Sequence, residues 1–443
     1  MPRQPPPLTT ADVARLLGVK PATVYAYVSR GLLGSRRNAD GKQSLFDRRE
    51  VDAFLASRKR PTTPGIQTGI TLISDGALHY RGHDAVALAR VASFEEVVAL
   101  LWTGTRRYET FDPDPQLLGL AEAVIAPLPR TARHTDRLRV IAAAAAAGDP
   151  LRFDTSPAAV IATARSLMGT MVAALPSPAG AARPNRHPRR KQTPEGVGER
   201  ELGAAGERVQ EEAREREPGV ESDAAADNGT TDAGGPRIAE VLWSRLTAWE
   251  ATPREHNLLE AALILLADHD IAASTLAARV AASTRAHPYA VVGAGLAALD
   301  GPLHGAASSL AHPLLAEVLE RPDPVDAIAD RLRAGEPVPG FGHRLYPGGD
   351  PRARALLDML GDTRAGDAAE RLAEVVGARS GVRPNVDLAL AALTLEYQMP
   401  ADAGETIFAV ARTAGWIAHA LEEYADRPSR FRPSGEYAPK SSG

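Results

Sequence analysis

The chain has 443 residues, length enough for about three domains at roughly 150 residues each. Its formal charge of −4 excludes a histone-like or polybasic protein as a whole, though not a local basic module. The absence of cysteine excludes disulfides, thiolate zinc sites and thiol nucleophiles.

Hydrophobic residues are 44% and aromatics only 5%, with alanine heavily used, a balance that predicts helices packed through small side chains. The opening Met1-Pro-Arg-Gln-Pro-Pro-Pro lacks the apolar core of a signal peptide, and no apolar run reaches the length of a membrane span. No membrane association is expected, and the expected location is the cytoplasm.

The first 60 residues carry 12 Lys and Arg against 5 Asp and Glu, a local +7 that leaves −11 on the remainder. A basic head on an acidic body points to a polyanionic partner for the head. Within it, Thr9 caps a helix that ends at Gly18 and places Val13, Leu16 and Leu17 on one face. Pro21 suits the first turn of a second helix, Ala22 to Arg30, which Gly31 stops. Its outward candidates are Lys20, Thr23, Tyr27 and Arg30. A basic turn, Arg36 to Lys42 with Arg37 inside it, leads to the strand-like Ser44-Leu-Phe46, as in a hairpin wing. Arg48 to Lys59 reads as a third helix with Val51, Phe54 and Leu55 facing inward. The head, 1–62, resembles the winged helix-turn-helix domain of the MerR and excisionase type. That resemblance implies DNA contacts, to phosphates from Arg and Lys and to bases from the second helix. The DNA-binding candidates are Lys20, Thr23, Tyr27, Arg30, Arg36, Arg37 and Lys42.

Residues 63–175 and 237–443 read as one body split by an insertion, 176–236, or as two domains joined by a linker; the family resemblance given below favours one body. The insertion has no Phe, Tyr or Trp, and its large aliphatics are only Val197, Leu202, Val209 and Val220. So little apolar surface cannot offset the entropy of ordering, so disorder is expected. Gln210 to Glu217 reads as a frayed helix at most. Asn228-Gly-Thr matches a glycosylation acceptor by chance. A long surface insertion is tolerable because loop-closure entropy rises slowly with length.

Three stretches of the body invite chemistry: Asp300-Gly-Pro-Leu-His304-Gly; Val338-Pro-Gly-Phe-Gly-His343-Arg-Leu-Tyr346 with Asp350-Pro-Arg352; and Pro384-Asn-Val-Asp387. Histidines flanked by glycine lie on tightly turned backbone, where core histidines are rare. No His-x-x-x-His spacing occurs among them, which disfavours a metal site. His312, before Pro313 near a helix boundary, and His419, in an apolar helix, read as structural. Gly293-Ala-Gly295 has no strand before it and reads as close packing between helices rather than a dinucleotide fingerprint.

These stretches together resemble the citrate synthase family. The resemblance extends to Thr71-Leu-Ile-Ser-Asp-Gly76, Tyr80-Arg-Gly82, Ser93-Phe-Glu-Glu-Val97, Ala267-Asp-His-Asp-Ile-Ala-Ala-Ser274, Ile407 to His419, and Arg432-Pro. It implies a mainly α fold, with a large helical domain and a small one that closes over coenzyme A. It also implies condensation of acetyl-CoA or propionyl-CoA with oxaloacetate, followed by thioester hydrolysis. By resemblance, Asp387 is the base that takes the methyl proton and His304 hydrogen-bonds the enolate oxygen. His343 polarises and protonates the keto oxygen, and His269 holds the same substrate. Arg352, Arg412 and Arg432 match the carboxylate-binding arginines, whose planar fork meets a carboxylate bidentately. Since the family's last arginine comes from the partner subunit, a homodimer is implied. No cofactor or metal is expected, since acyl-CoA enters as substrate.

The chain departs from the family pattern at Ala272, where Asn is usual, at Ala306 and Ser308, at Pro347, where Lys is common, and at Ser434. These changes leave His304, His343 and Asp387 in place and bear on acyl or oxo-acid preference. A second reading is a metabolite-sensing DNA-binding regulator built on the same body.

Overall fold

The computed structural model describes residues 66–178, 235–321 and 323–431, together with 7–17, 19–29, 33–37, 40, 44–48, 50, 51 and 54. The chain forms two compact units, Met1–Gln67 and Thr68–Gly443.

In the first unit, β1 (Leu8–Thr9), α1 (Thr10–Leu17), α2 (Pro21–Ser29), β2 (Arg36–Arg37) and β3 (Ser44–Phe46) follow in order. The strands form one antiparallel sheet in the order β1-β3-β2, with Leu8 opposite Phe46 and Arg36 opposite Leu45. The wing therefore has a third strand that two residues of extended sequence did not announce. Thr9 caps as expected: its hydroxyl lies 2.6 Å from Asp12 Oδ2, and Asp12 N donates to Thr9 Oγ1 at 3.3 Å. Such a cap contributes about 1 kcal/mol. Val13, Val24, Leu33, Phe46 and Val51 fill the core. The second helix starts at Pro21, one residue earlier than expected, with Pro in its first turn. The third expected helix, Arg48–Lys59, and the insertion, 176–236, lie mostly outside the described residues.

The second unit opens with an antiparallel sheet of β4 (Thr71–Ser74), β5 (Ala77–Tyr80) and β6 (His83–Asp84). Asp75 and Gly76, with φ of +52° and +76°, make the two-residue turn between the first two strands. Helices then run in order: α3 (Ala85–Val91), α4 (Phe94–Thr103), α5 (Pro115–Ile125), α6 (His134–Gly148), α7 (Pro157–Ala173), α8 (Ile238–Leu246), α9 (Pro253–Leu266), α10 (Ala273–Ser283) and α11 (Pro288–Leu299). They continue with α12 (Ala307–Glu320), α13 (Pro324–Arg333), α14 (Pro351–Leu360), α15 (Arg364–Ser380), α16 (Val386–Glu396) and α17 (Ala403–Ala425). The described residues are thus mainly α-helical, as the sequence predicts. None of the described helices is long and apolar enough to cross a membrane.

α17 is the axis of this unit. It is buried on nearly every side, from Ala403 to Ala420, and packs against α9, α10, α11, α4 and α7. A helix apolar all round is a core helix. A smaller group, α12, α13, α15 and α16, packs mainly on itself, with α14 bridging to α9. His312 and Pro313 lie inside α12 and not at its boundary, which corrects the sequence expectation. Gly293 and Gly295 lie within α11 rather than between helices. The close-packing reading holds for Gly295, where a Cβ would overlap the Trp416 ring.

Candidate functional site

Two loops of the smaller group are tied together. Phe341 and Pro384 form an isolated antiparallel bridge. Gly342 N donates to Arg383 O at 2.8 Å, Asn385 N to Gly340 O at 3.0 Å, and Asn385 Nδ2 to Gly342 O at 3.0 Å. Gly340 has φ +87° and no room for a side chain, since a Cβ would lie 2.9 Å from Leu388 Cβ. This clamp holds the His343 loop against the start of α16. Asn385 caps α16, accepting from Asp387 N at 3.1 Å, and sets Asp387 in the first turn. Asp387 is half-buried. Burial, helped by nearby Asp350 and opposed by Arg352, raises its pKa to about 6.

Asp350 is a second tie. It caps α14 and accepts Arg352 N at 3.0 Å. The Arg352 guanidinium meets it bidentately, Nε to Oδ1 at 3.0 Å and Nη2 to Oδ2 at 2.8 Å. Val386 N also donates to Asp350 Oδ2 at 3.1 Å, so Arg352 and α16 share one anchor. Burial favours the neutral acid, but Arg352 outweighs it and holds Asp350 below the usual carboxylate range.

Three rings meet beside Arg352. The His269 and His343 rings are 5.1 Å apart, and His343 and Tyr346 are 4.9 Å apart. Tyr346, itself buried, places its hydroxyl 2.9 Å from His269 Nε2. Burial pushes the Tyr346 pKa up to about 12, so it stays protonated. Burial, then Arg352 and Arg412, hold His269 well below its ordinary pKa, and burial lowers His343 too. Both rings are therefore neutral near pH 7.

Behind His269, Asp268 is fully buried. It accepts from Thr71 Oγ1 at 2.5 Å and lies 3.2 Å from His419 Nε2. Tyr80 Oη donates among the Ile264 and Asp268 carbonyls, each at 3.0 Å. Arg279 Nη1 reaches His419 Nδ1 at 2.5 Å, and its Nε donates to Glu423 at 2.5 Å. His419 is thus bonded on both nitrogens inside the core, as its structural reading expects.

His304 sits in the turn between α11 and α12. His304 N donates to Gly301 O at 2.9 Å and Gly305 N to Leu299 O at 2.9 Å. Gly305 permits that approach, because a Cβ would stand 2.7 Å from Leu299 O. His304 Nε2 pairs with Ser274 Oγ at 2.8 Å, and its ring lies 5.6 Å from Phe408. Burial, then Arg412, lower its pKa to about 4, so it is neutral near pH 7.

The Arg412 guanidinium lies over the Phe408 ring, 4.6 Å from its centroid. It is 1% exposed. Its Nε donates to Leu266 O at 2.8 Å, yet Nη1 and Nη2 are buried without a hydrogen-bond partner. Burial pulls its pKa down to about 10. A buried guanidinium with two unmet nitrogens is costly, which calls for an anionic ligand.

The structure therefore links His269, His343 and Arg352 through Tyr346, and His304 with Arg412 through Phe408. Asp387 joins them through Asp350. Arg432 lies outside the described residues. So do Arg30 and Lys42 of the head and the side chain of Arg37. Lys20 and Arg36 are exposed, and Thr23 is half-buried. Tyr27 is not outward: its ring packs 5.3 Å from Phe54. The exposed aromatic of α2 is Tyr25, at 55%. Sequence reasoning missed Ser274, Tyr346, Asp350 and Asp268 as partners. Asp350-Pro carried one usable signal, an acidic cap before a first-turn proline. Among the described residues, no group of three or more His, Asp or Glu is arranged to hold a metal ion.

Comparison with known proteins places the fold and the family. Residues 61–434 match the family described as "Citrate synthase, C-terminal domain", and residues 7–59 match "Helix-turn-helix domain". The chain is 36% identical over 207 residues to citrate synthase 2 of Bacillus subtilis, covering 45% of this chain and 55% of that protein. It is 26% identical over 406 residues to 2-methylcitrate synthase 1 of Corynebacterium glutamicum, covering 86% and 95%. The alignments span about half the length of the first curated relatives. Among solved structures, citrate synthase from Thermotoga maritima is similar with a TM-score of 0.60 and 24% identity, covering 87% of this chain and 97% of that one. The Thermoplasma acidophilum citrate synthase, in a ternary complex with carboxymethyl coenzyme A and oxaloacetate, has a TM-score of 0.62 at 23% identity, with the same coverage. With the family match spanning most of its length, the chain belongs to the citrate synthase family.

Proposed function

We propose that the body condenses a short acyl-CoA, acetyl-CoA or propionyl-CoA, with oxaloacetate and hydrolyses the resulting thioester, giving citrate or 2-methylcitrate and free CoA. The observation that carries this is Arg412, a buried cation whose Nη1 and Nη2 have no partner. It lies in one site with neutral His269 and His343 and the arginine of the Asp350–Arg352 pair. A dicarboxylate with a keto group meets each of these: carboxylates on the arginines, the keto oxygen on the histidines.

Asp387 takes the proton from the carbon next to the thioester. A carboxylate with a pKa of about 6 is a stronger base than an ordinary one and is still ionised at neutral pH. If Ser274 donates its hydroxyl proton to His304 Nε2, then Nδ1–H of the neutral ring faces the developing enolate oxygen. The carbon attacks the keto carbon while neutral His343 donates a hydrogen bond to the keto oxygen; that oxygen ends protonated by way of His343 as solvent resupplies the ring, Asp387 returns its proton to solvent, and His269, oriented by Tyr346, holds the substrate. Water then displaces CoA. Ala272, Ala306, Ser308 and Pro347, each two to four residues after His269, His304 or His343 in sequence, bear on which acyl chain is accepted.

The test is thiol release from the purified full-length chain, given acetyl-CoA or propionyl-CoA with oxaloacetate. Release that requires both substrates supports the proposal. No release with either donor, where a known citrate synthase is active, overturns it.

The head supports a second activity, DNA binding. Its helix-turn-helix match, its +7 charge and exposed Lys20 and Arg36 favour it. Regulation of the bound DNA by the body's substrates follows if both activities reside in one chain. A homodimer completed by the partner's Arg432 would present two heads to a two-fold site. The Ala-rich outer faces of α6 and α11, with Ala143, Ala147 and Ala297 exposed, suit close helix packing between two copies.

A further inference from the structure

The smaller helix group is joined to the rest of the second unit at two places. The chain leaves through residues 300–306, between α11 and α12, and returns through residues 397–402, between α16 and α17. One side chain holds both. Arg133, the N-cap residue of α6, puts Nη2 2.6 Å from Asp300 Oδ1 and Nη1 3.1 Å from Glu405 Oε2. Asp300 caps the end of α11, where the outgoing chain starts. Glu405 stands in the first turn of α17, where the returning chain ends.

The surrounding groups make this an organised set rather than a chance contact. Arg139 Nη1 takes the second oxygen of Asp300 at 3.0 Å. Asp136 lies between the two arginines, 3.2 Å from Arg133 Nη2 and paired with Arg139 Nη2. Glu405 is only 5% exposed, and its other oxygen accepts from Ser309 Oγ at 2.5 Å. Ser309 belongs to α12, inside the smaller group, and its hydroxyl also lies 3.2 Å from Ala401 O on the returning chain. The line Asp300–Arg133–Glu405–Ser309 therefore connects α6, both crossings and the first helix of the smaller group. Asp300 is four residues before His304.

We propose that Arg133 is a positioning residue that pins the pivot between the two helix groups. The side-chain partners of Arg133 are protein carboxylates: Asp136, Asp300 and Glu405. Arg133 acts by fixing where the smaller group, with His343 and Asp387, stands against the larger one, with His269 and Arg412, and so how Arg352 on the bridging α14 is placed between them. The consequence for turnover rests on the condensation reading, whereas the consequence for geometry does not. Partly buried ion pairs with reciprocal hydrogen bonds resist rearrangement better than exposed ones.

The chain has no cysteine, so two can be placed freely. Exposed Ala87 on α3 and Ala378 on α15 are changed to Cys in the full-length protein and given nitroxide labels. The labelled chain is diluted with unlabelled chain, and the distance distribution is read by pulsed electron resonance. Arg133→Met broadens the distribution and lowers kcat by about 2- to 30-fold, with KM for either substrate moving less. Arg133→Lys, which keeps the charge, recovers part of both. Ser309→Ala removes one hydroxyl and keeps the fold, and gives the same changes at smaller size. Unchanged distributions in both Arg133→Met and Ser309→Ala overturn the proposal. If the parent releases no thiol but the distribution still broadens, the pivot stands and the condensation reading falls.

Discussion

The acid–base balance of the site is set residue by residue, and it yields signed expectations. Asp387 titrates near 3.8 in an unfolded chain and near 6 in the folded one. Between these values the folded state holds a proton that the unfolded state releases, so stability falls as pH rises from about 4 to 6. Above that the full cost applies, at most about 3 kcal/mol. Asp387→Asn should therefore abolish thiol release and yet raise the melting temperature at pH 7, with the gain gone at pH 4. Calorimetry of the two proteins at both pH values checks this. On the proposed mechanism the parent's kcat/KM should fall on the acid side with a midpoint near 6, because Asp387 must be ionised, while His304, titrating near 4, stays neutral around that midpoint. Arg412 gives the complementary case. Its unmet nitrogens make it a cost without ligand and a gain with one. Arg412→Met should leave the melting temperature of the ligand-free protein unchanged or higher. It should also raise KM for oxaloacetate by about 30-fold or more, the loss of a buried charge pair. A melting temperature several degrees lower would show that Arg412 is needed for the fold itself.

At the level of elements, the site depends on how closely α17 approaches the end of α9. Gly415 N donates to Ala267 O at 3.0 Å, and a Cβ on Gly415 would stand 2.5 Å from that oxygen. Gly415→Ala should therefore push α17 from Asp268 and His269, costing about 1–3 kcal/mol of stability, read by denaturant unfolding. The sequence carried the glycine but not its reason. Its legible part was local: His304, His343 and Asp387 stood out because they sit beside glycines, prolines and helix starts, and those letters mark turns wherever the chain is placed. Periodicity likewise announced the helices. The partners were illegible because each pair is distant in sequence. Ser274 meets His304 across 30 residues and Asp268 meets His419 across 151. Arg133 meets Asp300 across 167, and no spacing rule covers such a distance. Tyr27 was misread for a related reason. The second helix has apolar residues on several sides, so only packing against Phe54 decides which aromatic faces in and which, Tyr25, faces out.

For the whole molecule, charge is divided as chemistry is. The near-neutral total hides a basic first unit and an acidic remainder. Every substrate-site candidate among the described residues belongs to the second unit, whereas exposed Lys20 and Arg36 belong to the first. Binding to nucleic acid should then be separable from turnover in the intact chain. A head that binds DNA neutralises phosphates and releases counterions, so the logarithm of the binding constant should fall linearly with the logarithm of salt concentration. Lys20→Glu with Arg36→Glu should remove about two contacts from that slope, and should weaken binding by about tenfold or more at moderate salt. Neither side chain contributes to the buried core of the head, so its fold should persist. Thiol release by the same double variant should match the parent's within error. The two measurements together discriminate between the roles. Lost DNA binding with intact turnover assigns the basic charge to the head's own partner, whereas unchanged binding and salt slope would remove Lys20 and Arg36 from the interface.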